Sequence, residues 1–142
     1  MRFLNLVFCL AFSMGLYAQT AGIQTVKDIL AQQVSDWNRG DIDAFMVPYW
    51  HSDQLKFIGA RGVTKGWQAT LDNYKRGYPD KAAMGTLTFD LLSTEHLSKK
   101  VILVVGKWSL AREKDNPHGI YTLLWKKIKG EWVIIADHTS AE

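Results

Sequence analysis

The chain has 142 residues, 47% hydrophobic and 22% charged, with a formal net charge of +3. That length supplies one ordinary domain, and that balance excludes a disordered chain. Six Trp, five Tyr and six Phe suit a large core or an aromatic-lined cavity.

The first stretch, MRFLNLVFCLAFSMGLYAQTAG, carries one charge, Arg2, then an apolar run from Phe3 to Tyr17, then small residues. This is the layout of a secretory signal peptide over residues 1–18, cleaved after Ala18, although Leu16 is larger than the preferred −3 residue. The run is short and quickly ended for a bilayer span, which makes a retained membrane anchor the weaker reading. Phe8 stands where a lipoprotein needs a small residue before Cys9. Cleavage removes Cys9, the only cysteine, and lowers the formal charge from +3 to +2 by taking Arg2. A secreted or periplasmic mature chain, Gln19 to Glu142, would then have no disulfide, thiolate nucleophile or Cys–zinc site. The lysines are scattered or sit in turns such as SKK and WKKIKG. They do not form the dense basic face that a nucleic-acid partner requires.

Ile23, Val26, Leu30, Val34 and Trp37 recur at helical spacing and predict a first helix. NRGD ends it: Gly40 suits the left-handed C-terminal position and Asp41 can cap the next helix. DIDAFMVPYW is a short second helix stopped by Pro48 near Val47. LKFIG reads as a short strand. GWQATLDNYKRGYP is a third helix, with Trp67, Leu71, Tyr74 and Tyr78 on one stripe and Gly77 and Pro79 as the stop.

The second half reads as strands: MGTLTFDLLS, KKVILVVGKWSLAR, HGIYTLLWKKI and EWVIIADHTS. The connections between the last three are short, so these strands are antiparallel neighbours. Helices first and a meander after make an α+β domain with the helices on one sheet face. Val101, Leu103 and Val105 oppose Ile102 and Val104, and Val133 and Ile135 oppose Trp132 and Ile134. A sheet apolar on both faces is covered on both. Helices can cover one face, and a second copy of the chain is the simplest cover for the other.

The stretches WNRGDIDAFMVPYW, LKFIGARGVTKGW, DNYKRGYP, VVGKWSLAR and GIYTLLWKKIKGEWVIIADHTS together resemble the nuclear transport factor 2-like superfamily, also called SnoaL-like or ketosteroid isomerase-like. More narrowly they resemble its secreted bacterial branch of unknown function. The resemblance covers almost all of the mature chain. It implies a strongly bent antiparallel sheet wrapped on about three helices, an open cone with a pocket at its wide end, and dimers through the outer sheet face. It does not imply one activity, because this fold hosts isomerases, cyclases, dehydratases, hydrolases and binding modules. The carboxylate, Tyr and protonated Asp of ketosteroid isomerases have no matching positions here and are not carried over.

Chemistry then concentrates at the C-terminus. With Trp132 and Ile134 inward, a period of two turns Ala136, His138 and Ser140 inward and Asp137 and Thr139 outward. His138 is therefore the first candidate for a general base or ligand contact. Asp137 is the weaker candidate, and a bulge near Ala136 would exchange the two. The bland alternative for His138 is a structural histidine. Arg112, at the end of a strand face shared with Trp108, could pair with an anion at the rim, or simply be solvated. Tyr49, Trp50, Trp67 and Tyr74 belong to the helical half that roofs the pocket, either as core aromatics or, for Trp50 and Tyr74, as a polar tip beside an apolar wall. No metal or cofactor is expected: His51, His96, His118 and His138 lack ligand spacing, and no nucleophile elbow or phosphate loop occurs. The expectation is a binding domain for a small apolar or aromatic molecule. The alternative is a cofactor-free isomerase, lyase or hydrolase using His138 as acid–base.

Overall fold

In a computed structural model of the chain, the backbone is described from residue 4 to residue 142 and the side chains from residue 20. The signal-peptide expectation over residues 1–18 falls outside the described side chains. Ten elements follow in order. They are α1 (Leu4–Asn38), α2 (Ile42–Met46), β1 (Lys56–Gly59), β2 (Gly62–Lys65), α3 (Trp67–Gly77), α4 (Lys81–Met84), β3 (Thr86–Ser98), β4 (Val101–Ala111), β5 (His118–Ile128) and β6 (Glu131–Thr139).

The expected helices form for the expected reasons. Val26, Leu30 and Trp37 of α1 are buried at 2% exposure or less, on the stripe that the spacing marks. Gly40 adopts φ +87° at the end of α1, a backbone state that favours glycine. Asp41 then caps α2 by accepting from the Ala44 amide at 2.9 Å. At the same junction the Asn38 side chain pairs with both backbone groups of Leu87, at 2.7 and 3.1 Å, tying α1 to β3. Two short elements carry no period long enough to read from sequence: β2, and the one-turn α4 capped by Asp80 through the Ala83 amide.

The six strands form one sheet in the order β2-β1-β6-β5-β4-β3. Neighbours run antiparallel except β1 and β6, which are parallel. Ile102, Val104, Trp125 and Ile134 point under the helices at 0% exposure. Each such side chain contributes roughly 1.5–3 kcal/mol by leaving water.

Three bulges bend the sheet, because two residues on one strand face one on its neighbour. Register shifts by one at Leu92 and again at Leu97 in β3. Both extra leucines are ejected into solvent, at 51% and 56% exposure. The third shift leaves Ile135 of β6 without a partner between Trp125↔Ile134 and Leu124↔Ala136. It reverses which side chains of β6 face inward for the rest of the strand.

Candidate functional site

The Ile135 bulge builds the site. Before it, Trp132 and Ile134 point inward; after it, Asp137 and Thr139 do. The sequence expectation for this strand end is therefore corrected: Asp137 is buried at 3% exposure, while His138 is exposed on the opposite face. VIIAD is apolar on both parities up to Ala136, so nothing in the stretch marks where the period breaks.

Asp137 lies at the base of a cavity of about 470 Å³ between the helices and the concave sheet face. Its neighbour Tyr49 is set by backbone pairing. The segment after α2 runs beside β6, with the Ile134 amide donating to Pro48 O and the Trp50 amide to Ile134 O, both at 2.9 Å. From that rail the Tyr49 hydroxyl donates to Asp137 Oδ2 at 2.7 Å. On the other side Thr139 Oγ1 donates to Asp137 Oδ1 at 2.7 Å. Both carboxylate oxygens thus have a donor.

Burial is the largest influence on Asp137 and pushes its carboxyl above the ordinary aspartate range, while the Thr139 and Tyr49 bonds pull the other way. The same burial, joined by the negative charge of Asp137, pushes the Tyr49 and Tyr74 phenols well above their ordinary value. The result is a carboxyl group in an apolar setting with two phenols that keep their protons, an arrangement able to hold, accept or return a single proton.

The walls are aromatic. Trp37 packs edge-on against Tyr78 and Phe45 at 4.7 and 5.1 Å between ring centres. Tyr74 sits between Phe45 and Phe57 at 5.4 and 5.7 Å. Trp108, Leu110 and Leu123 close the sheet side.

Of the residues expected at the site, Asp137, Tyr74, Trp108 and Arg112 line this cavity, and Trp50, Trp67, Ser140 and His138 do not. Trp67 stacks on His51 at 4.3 Å and donates its indole N–H to Met46 O at 3.1 Å, a structural tie. Ser140 brackets Ile120, accepting from its amide and donating to its carbonyl. The Trp50 backbone amide pairs with Ile134 O, and its ring is not on the cavity lining. Arg112 is bound bidentately to Asp115 at 2.6 and 2.7 Å, and its third nitrogen donates to Ala83 O at 3.0 Å. Thr139 lay on the face expected to be outward, and Tyr49 was expected among the roof aromatics but not as the hydrogen-bond donor to Asp137. Tyr49 is 88 positions away from Asp137, and only the fold joins them. Among the described residues no cluster of His, Cys, Asp or Glu could hold a metal ion.

No family model matches the chain, and no curated protein matches it. Solved structures do match. A ketosteroid isomerase-like protein from Erwinia carotovora atroseptica superposes with a TM-score of 0.68 at 15% identity, covering 84% of this chain and 95% of that one. An NTF2-like protein of unknown function from Pseudomonas putida KT2440 gives 0.69 at 19% identity, covering 87% and 88%. At such identities the likeness is one of fold. A third, an NTF-2 like protein of unknown function from Shewanella oneidensis MR-1, gives 0.78 at 44% identity over 81% of this chain and 95% of that one. Identity at that level, along almost the whole of the other molecule and on a shared fold, means that this chain belongs to the nuclear transport factor 2-like family.

Proposed function

We propose that the cavity is a binding site for a small molecule with an apolar or aromatic body and a polar group held at the Asp137 end. The observation that carries this reading is the placement of Asp137: a buried carboxyl, bonded to Tyr49 and Thr139, at the base of an aromatic-walled cavity of about 470 Å³. Mostly apolar walls with a few convergent polar groups are the usual make-up of small-ligand sites, and the volume suits a drug-sized molecule. The test is a thermal-shift panel of small ring-containing molecules on the purified mature chain, with Asp137→Asn in parallel. Ligands that raise the melting temperature by mass action, and lose preference for a polar group in Asp137→Asn, support the reading. A panel with no response in the wild type counts against it.

A second reading has its own observation. Burial raises the Asp137 carboxyl toward the range where a group can both take and return a proton. The acid–base alternative, a cofactor-free isomerase, lyase or hydrolase, then rests on Asp137 rather than on the outward His138. Asp137 would remove a proton from the bound molecule and hand it back at another atom or to a leaving group. The expected mark is turnover that Asp137→Asn lowers by 100-fold or more, roughly the lower bound for general base catalysis, with His138→Ala near wild type.

Two further parts of the reading concern the whole protein. Outward-facing Leu103, Val105, Leu124 and Val133 are only half-buried in one chain, which supports a homodimer through the outer sheet face. The signal-like residues 1–18 support export to the periplasm or medium. Among the described residues no helix is long and apolar enough to cross a membrane.

A further inference from the structure

The cavity has three charged residues on its lining: Asp137, Arg112 and Arg61. Their situations differ. Asp137 is capped by two hydroxyl donors. Arg112 has its charge matched by Asp115 and its remaining nitrogen on a backbone carbonyl. Arg61 has neither a hydrogen bond nor an ion pair among the described residues. It occupies the two-residue turn between the paired Gly59 and Gly62, at the tip of the β1–β2 hairpin. Its positive charge is felt by the Tyr78 phenol on the helical side of the cavity. Two residues further along the same hairpin, Val63 is 59% exposed while lining the cavity. The mouth therefore presents an uncompensated guanidinium beside an apolar side chain, and an aromatic box lies beneath them.

From this we infer that the ligand is an anion, an aromatic or alicyclic carboxylate whose acid group pairs with Arg61 at the mouth while its ring system fills the box toward Asp137. The inference rests on the cavity being a ligand site, as proposed above. Geometry sets the length of the molecule. Phe57 is level with Asp137 in the β1–β6 pairing, and the hairpin tip lies three residues further, about 10 Å at the usual strand rise. A two-ring body separates a carboxylate from its far edge by about that length. The polarity of the two ends is also consistent. A carboxylate placed beside Asp137 would meet a second acidic group in an apolar setting, whereas at the mouth it meets a planar bidentate donor in partial contact with water.

The test compares 6-hydroxy-2-naphthylacetate, whose hydroxyl is placed for Asp137, with its neutral amide, 6-hydroxy-2-naphthylacetamide, by calorimetry on the mature chain and on Arg61→Gln and Arg61→Lys. These two share shape and volume and differ in charge. The wild type is expected to bind the acid about tenfold more tightly, the scale of one charge-assisted hydrogen bond. That preference should shrink as salt rises from ~0.05 to ~0.5 M. Arg61→Gln should bind acid and amide alike, and Arg61→Lys should keep part of the preference. Arg61 is an exposed turn residue, so all three proteins should melt together. Equal binding of acid and amide by the wild type, or a preference that survives in Arg61→Gln, overturns the anionic class and leaves the cavity reading standing. Binding of neither compound overturns both.

Discussion

Removing one atom from Tyr49 tests the centre of the site. Tyr49→Phe keeps the ring, which is 4% exposed, and deletes only the hydroxyl that donates to Asp137 Oδ2 at 2.7 Å. Asp137 is 3% exposed, so water does not readily replace the lost donor. A hydrogen bond to a charged group contributes about 1.5–3 kcal/mol, and one between neutral groups about 1 kcal/mol. The expected loss is therefore about 2 kcal/mol where Asp137 is ionised, or about 6–8 °C in melting temperature for a domain of this size. Where Asp137 is protonated it is about half that. The sign with pH follows from the protons bound. Folded Asp137 holds its proton to higher pH than the unfolded chain does, so wild-type stability falls as pH climbs from the ordinary aspartate range through the raised value. The Tyr49 bond opposes that rise, so its removal widens the interval, and the deficit of Tyr49→Phe grows with pH. Thermal melts of both proteins from about pH 4.5 to pH 8.5 measure this directly. A deficit below about 0.5 kcal/mol at every pH, or one that shrinks as pH rises, would refute the assignment of Tyr49 as the donor that holds the Asp137 carboxylate.

Tyr121→Phe is the matching control. The Tyr121 hydroxyl is buried with no hydrogen-bond partner among the described residues, so its loss should be neutral or stabilise by up to about 1 kcal/mol; a loss as large as that of Tyr49→Phe would contradict this. Gly106→Ala should destabilise by about 1–3 kcal/mol, because a Cβ there would lie 2.4 Å from the Tyr121 ring and hydroxyl; unchanged denaturant midpoints would count against that packing. Leu103→Glu puts a charge on the outer sheet face and should convert a dimer to monomers in sedimentation, whereas a wild type already monomeric at micromolar concentration removes the dimer proposal. Intact mass of the exported protein should correspond to a chain starting at Gln19, and a mass retaining Met1 would overturn the export reading.

Local rules marked most of the elements without tertiary help. The stripe Val26, Leu30, Trp37 makes α1 helical, and the Gly40–Asp41 junction ends one helix and caps the next. These features depend on side chains within a few positions of one another, which is why they are legible in a linear string. The cavity aromatics Tyr74 and Trp108 were legible for the same reason. Trp50, Trp67 and Ser140 do not line the cavity, because sharing a helical or strand stripe with cavity residues does not decide what each side chain meets. Trp67 is taken up by a backbone carbonyl and Ser140 by Ile120.

The identity of the buried ionisable group was decided by tertiary structure alone. WVIIADH can run as a strand with either parity after Ile134, since its residues are apolar up to Ala136. The parity was set when β6 paired with β5 on one side and β1 on the other, and one extra residue, Ile135, was left without a partner. That single offset turned Asp137 inward to meet Tyr49, and turned His138 out. A period of two holds only while the ladder keeps register, and register is a property of two strands, not of one sequence segment.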